Sequence, residues 1–211
     1  MVINSLLPLD FPQNNFELTS EILSVTNKFS GWIESKLKDN DGRYGIGGYN
    51  EHRTIYSRSA HFDSKEEPRR LHLGVDIWAP AGTPVYNFYD AAVHSFANNN
   101  LFGDYGATII LSYEIEGFRF NALYGHLNLA SIEHLKEGAF IPAGTQFAEF
   151  GIAEENGFWP PHLHFQIIKN MYGLKGDYPG VCRFSEREKY LDNCPDPNII
   201  LKQTFGNYNS L

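Results

Sequence analysis

The spacing of apolar residues divides the chain into a helical start and a strand-rich middle. Across residues 20–38, Ile22, Val25, Phe29, Trp32, Ile33 and Leu37 recur at steps of three and four. That period lays one apolar stripe along a helix. It predicts a helix that packs on a core and carries no chemistry, ended by the turn formers Asp39-Asn40-Asp41-Gly42. Residues 83–168 read differently. Short apolar runs at 85–88 and 92–96 are split by Tyr89-Asp90, and a long run follows at 107–115. Glu116-Gly117 then turns into Phe118–Tyr124, a hairpin pattern. Pro142-Ala143-Gly144-Thr145 turns into a run at 146–150, a loop spans 151–161, and His162–Ile168 forms a last core strand. Several short strands with Gly/Pro turns and little helix predict a mainly β fold with a small antiparallel sheet. Residues 1–18 read as irregular. The tail beyond 168 reads as an irregular run of loops and turns, with one short helical stretch near 185–191.

At 211 residues the chain is long enough for one sizeable core, or one core with a small appendage. Its formal charge of −8 disfavours nucleic acid, whose phosphates require a basic field. No run of about 18 apolar residues suggests a membrane span. Oligomeric state is not legible. The first ten residues lack a basic, apolar export pattern. Cys182 and Cys194 are too few for a disulfide framework. Free thiols in a reducing cytosol are therefore expected, and a cytoplasmic location with them. A trimmed chain would be periplasmic or secreted.

The chemistry gathers in two segments ninety residues apart. One is His72-Leu73-Gly74-Val75-Asp76; the other is His162-Leu163-His164. Imidazole and carboxylate hold borderline divalent metals such as zinc. Two histidines and one carboxylate leave a fourth position open, the composition of a catalytic zinc site. On a straight strand the Cα atoms of His72 and Asp76 would lie about 13 Å apart, so a bend at Gly74 is expected. His162 and His164 share one face of a strand, with Cα atoms about 6.6 Å apart. One can hold a metal while the other faces a reacting group. His126, ending the second hairpin strand, is a third isolated histidine. His94 reads as a satisfied structural histidine. His52, His61 and His134 read as surface or loop residues. Arg53 and Arg70 are candidates to bind a substrate carboxylate or orient a ligand, although a solvated surface arginine is the commoner case.

These blocks, in order, carry a family resemblance. His72–Asp76 followed by Ala79-Pro80-Ala81-Gly82-Thr83-Pro84-Val85, then Tyr124-Gly125-His126-Leu127, then Pro161-His162-Leu163-His164-Phe165, resembles the M23 (lysostaphin/LytM-type) zinc metallopeptidases over roughly residues 68–168. The flanks, with Asp177–Gly180 and Cys194–Asn198, also look like the M23-type segment of multidomain proteins that carry kinase-like and aminotransferase-like domains. The resemblance implies a small antiparallel sheet crossed by a groove with Zn2+ at its floor. It implies that His72, Asp76 and His164 bind the zinc, and that His126 and His162 line its open side as catalytic residues. It implies hydrolysis of peptide bonds in a peptide or peptidoglycan-like substrate. On this reading residues 51–211 form the metallopeptidase domain and residues 1–50 a helical extension packed on it.

The helical zinc-protease pattern HExxH is absent, so His126 or His162 is the expected proton acceptor. Phe158 and Trp159 stand where wall-cleaving relatives carry small residues, so the groove is expected to be narrowed and intact wall not to be the natural substrate. Two other functions compete. One is a non-catalytic, metal-containing binding or scaffold module of the same fold. The other is a non-haem iron oxygenase, whose usual carboxylate spacing, HxD, differs from the HxxxD present here.

Overall fold

The computed structural model describes residues 6–11, 15–39, 44–63 and 66–205. In chain order the elements are β1 (Leu6–Leu9), α1 (Ser20–Ser24), α2 (Thr26–Asp39), β2 (Tyr44–Gly47), β3 (Leu71–His72) and β4 (Val75–Trp78). Next come β5 (Pro84–Tyr86), β6 (Ala91–Asn99), β7 (Gly106–Ile115), β8 (Phe118–Leu127), β9 (Phe140–Ile141) and β10 (Gln146–Glu149). The last are β11 (His162–Ile168), β12 (Val181–Cys182), α3 (Arg187–Asn193) and α4 (Asn198–Phe205). Eight strands form one sheet in the order β1-β2-β4-β11-β8-β7-β6-β9. Only the β1–β2 pair is parallel. The mainly β, antiparallel expectation therefore holds, and residues 1–18, read as irregular, contribute an edge strand.

Side-chain parity assigns the two faces of the sheet. Val75, Ile77, Leu163, Phe165 and Ile167 point to one side, into a core with Ile109, Leu111, Tyr124 and Leu201. Their alternates Asp76, Trp78, His162, His164 and Gln166 point to the other. There Trp78 joins a second core with Phe11, Leu23, Phe29, Ile33 and Trp159. Burying these rings against α2 fixes the helix beside the polar row.

The single helix expected across 20–38 is broken. Val25 is extended (φ −116°, ψ 112°) and 43% exposed between α1 and α2. Thr19 caps α1 by accepting from Ile22 N. Thr26 anchors the start of α2 by donating to the Phe158 carbonyl, 2.9 Å. The break changes the buried face, so Leu23 is buried while Ile22 is only partly so. The turn expected at 39–42 lies largely outside the described residues. The hairpin forms as expected, with Glu116 and Gly117 both at positive φ in its turn. Helix α4 was missed, because Asn198 follows two prolines that read as a closing turn. Among the described residues no helix is long and apolar enough to cross a membrane.

Candidate metal centre

The backbone ladder brings the two sequence segments together. His164 of β11 lies directly opposite Asp76 of β4, and His162 opposite Trp78. His72 ends β3, and the chain bends between it and β4 at Gly74, as expected. The glycine serves close approach as well. A Cβ there would come within 2.7 Å of the His164 ring and 2.8 Å of the Phe165 carbonyl.

Three atoms converge. His72 Nε2 lies 3.0 Å from His164 Nδ1 and 3.2 Å from Asp76 Oδ1, and the last two lie 3.1 Å apart. The outer bonds of these side chains assign the protons. His72 Nδ1 donates to the Gly48 carbonyl, 2.8 Å. His164 Nε2 donates to Gln166 Oε1, 2.9 Å. The orientation of that amide is fixed because Gln166 Nε2 donates to the Pro179 carbonyl, 3.1 Å. With the outer proton of each ring so placed, the inward nitrogens are the ones left to face a carboxylate oxygen. Burial lowers the His72 pKa to about 4, helped by Arg53. Burial favours a neutral Asp76, but His72, Arg53 and His162 outweigh it and hold the carboxyl well below its usual range. Three acceptors pressed together in a buried site call for a cation between them. A tetrahedral ion with donors at about 2.0–2.1 Å sets them roughly 3.3 Å apart. The triangle fits such an ion.

Arg53, expected more often at the surface, is fully buried behind the triad. Its Nη1 donates to Asp76 Oδ2 (2.5 Å) and its Nε to Glu51 Oε2 (2.6 Å). Its Nη2 shares the Gly48 carbonyl with His72. Room for the guanidinium comes from β2, where a Cβ on Gly47 would meet Nη2 at 2.7 Å. Arg70 instead reaches Asp63 at the surface.

The other two histidines flank the triad. His162 stacks on Trp78, with centroids 4.1 Å apart and planes 19° apart, and its Nε2 lies 4.0 Å from Asp76 Oδ1. Strand parity alone would point His126 with Tyr124 into the opposite core. A bulge reverses it: residues 125 and 126 of β8 face only Thr108 of β7, and His126 takes φ +64°. Its ring then lies 4.1 Å from that of His162. Each ring donates from Nδ1 to a backbone carbonyl, His126 to Asn156 (2.8 Å) and His162 to Pro160 (2.7 Å). Each Nε2 is left as an acceptor. Burial lowers both pKa values, His162 to about 4 and His126 well below its usual range, the latter also through His162 and His164.

Asn156, which no local pattern singles out, braces this wall. It is fully buried, donates to the Trp159 carbonyl (3.1 Å) and accepts from Trp159 N (3.0 Å). Its loop is clasped to the β6–β7 turn, where Cβ atoms on Gly106 and Gly157 would overlap the Glu155 and Asp104 carbonyls. His94 bonds Ser95 and His134 is exposed, as expected. His52 is exposed too, whereas His61 lies at the rim of the cleft. Cys182 and Cys194 are free and buried.

A sheet whose central strands carry Asp76 and His164, met by His72 from β3, in a chain whose residues 70–175 match the model of Peptidase family M23, defines a hydrolase of the peptidase class. The chain belongs to peptidase family M23. Among solved structures it is similar to a variant catalytic domain of the prophage-encoded M23 protein EnpA from Enterococcus faecalis. That match has 22% identity over 56% of this chain and 85% of that one, with a TM-score of 0.39. It is similar to the catalytic domain of lysostaphin from Staphylococcus simulans (23% identity, 57% and 80%, TM-score 0.39). It is also similar to a zinc-containing peptidase from Vibrio cholerae (26% identity, TM-score 0.37), over 46% of this chain and only 27% of that one. No curated protein matches the chain.

Proposed function

We propose that the protein is a zinc-dependent metallopeptidase in which His72 Nε2, Asp76 Oδ1 and His164 Nδ1 hold the metal. The observation that carries this reading is the meeting of three potential ligand atoms within 3.2 Å of one another. Zinc held there supplies a Lewis acid and a nucleophile at neutral pH. Arg53 neutralises the far oxygen of Asp76 and keeps the near one aimed inward. Gly48 O and Gln166 fix the tautomers of the two histidine ligands.

His162 and His126 are the proton carriers. Neutral at pH 7 and tethered through Nδ1, each presents Nε2 to the cleft, where it takes a proton and returns it to the leaving amine. None of the five site residues is more than 5% exposed. Water is largely excluded, which strengthens each polar contact with a bound peptide. The substrate is a peptide-like amide, including the short peptides of cell-wall type.

Metal analysis with a mass-spectrometric peptide-cleavage screen tests the reading, comparing the wild type with Asp76→Ala. Near-stoichiometric zinc and cleavage in the wild type alone are expected. Zinc without cleavage of any peptide would favour the scaffold alternative, and iron in place of zinc would overturn the assignment.

A further inference from the structure

The segment that matches the family begins at residue 70, yet the triad leans on residues that precede it. The stretch Gly48–Arg53 serves two of the three ligand residues. To His72 it offers the Gly48 carbonyl, which takes the Nδ1 proton. It also holds the His72 backbone: His72 N donates to the Glu51 carbonyl and Asn50 N to the His72 carbonyl, 2.9 Å each. To Asp76 it offers Arg53.

Glu51 links this stretch to the start of the chain. It stands two residues before Arg53, across His52, which bridges to Leu71. Alternation turns His52 outward and puts Glu51 and Arg53 on one side. Glu51 Oε2 accepts from Arg53 Nε, 2.6 Å, and Glu51 Oε1 accepts from Phe11 N, 2.7 Å. Phe11 lies just past β1 and is fully buried. Its ring centroid is 5.2 Å from the guanidinium and 5.5 Å from that of Trp78. Its carbonyl accepts from Thr54 N, 3.3 Å, so both backbone groups of Phe11 are tied to residues 51–54.

Two physical effects follow from the second carboxylate on Arg53. The first is charge. Arg53 and Asp76 alone would cancel, leaving a dication a neutral pair with a guanidinium behind it. Glu51 restores a net negative charge to the cluster. The second is aim. With Nε held by Glu51, the guanidinium reaches Asp76 through Nη1 and Oδ2 only. Left with Asp76 alone, it could close a two-pronged pair on both carboxylate oxygens, the stronger geometry. Oδ1, which faces the two histidines, would then be drawn away from them.

Resting on the metallopeptidase reading, we propose that Glu51 is a positioning residue of the metal centre. Through it the N-terminal strand, which lies outside the family segment, sets the charge and the aim of Asp76.

The test compares the full chain with its Glu51→Gln variant. The amide keeps the shape, loses the charge, and has one oxygen where two donors need acceptors. Zinc affinity is measured by chelator competition, and the metal's surroundings by visible absorption of the cobalt(II)-loaded protein. Thermal unfolding of both metal-free proteins is recorded alongside. Zinc affinity is expected to fall about 10-fold, as for other groups that orient ligands, and the cobalt bands to shift. A variant that is less stable but holds zinc and cobalt as the wild type does would make Glu51 a structural tie and overturn the inference. A second measurement needs no variant. Coupling is reciprocal, so zinc should slow hydrogen exchange in residues 6–11 more than in β6 and β9 at the opposite edge of the sheet. Equal slowing at both edges would also overturn the inference. Wild-type protein that binds no zinc would instead overturn the metallopeptidase reading.

Discussion

The floor and the roof of the cleft are built in opposite ways. The floor is central sheet: Asp76, His162 and His164 sit on paired strands, where the ladder fixes backbone position and parity fixes direction. The roof is two short 3-10 turns, at Ile55–Arg58 and Ala60–Phe62, held down by side chains and ring contacts. A ladder positions donor atoms to within tenths of an ångström, as a metal demands. Side-chain staples hold less firmly, and regions so held open more readily. The floor therefore holds the donor atoms, and the roof covers them with a less firmly held segment.

Variants can separate the two. The largest effect is expected at the proton carriers. His162→Ala, and His126→Asn, which tolerates the left-handed backbone at 126, should each lower kcat by about 10²–10⁴-fold with zinc content unchanged. Zinc lost from either would mean that a ligand has been misassigned. Next comes the joint between the regions. Arg53→Ala strands the buried Asp76 carboxylate, and removing one partner of a buried pair costs about 3–5 kcal/mol. Thermal unfolding should register that loss, and chelator competition should show zinc affinity down about 10–100-fold. In the roof alone, Ser59→Ala removes one hydrogen bond, worth about 1 kcal/mol. It should leave zinc binding intact and register only in denaturant unfolding. The smallest effect belongs to Val25→Ala, outside both regions at an exposed break, where denaturant unfolding should shift by no more than about 0.5 kcal/mol.

The same contrast governs how much could be read from the chain. Parity on a strand made the shared face of His162 and His164 legible, and turn chemistry made the β7–β8 hairpin legible. That the segments of His72 and of His162–His164 should meet followed from metal-ligand chemistry, and the choice of His164 as the ligand followed from the family resemblance. What escaped was non-local. The bulge that turns His126 toward the site depends on its register with Thr108. The burial of Arg53 depends on the bare face of β2, where Gly47 leaves room for the guanidinium. The roof has no periodicity, because 3-10 turns and side-chain staples leave none in the sequence. The stripe across 20–38 was real, but the chain extends at Val25, where the Thr26 hydroxyl donates to the Phe158 carbonyl, a contact distant in sequence.

The central claim is that one cation joins His72, Asp76 and His164. A crystal of zinc-loaded protein, with anomalous diffraction recorded at the zinc edge, tests it most directly. The account predicts one strong peak about 2.0–2.2 Å from His72 Nε2, Asp76 Oδ1 and His164 Nδ1. A peak bound elsewhere, or none between these atoms in crystals grown with excess zinc, would contradict it.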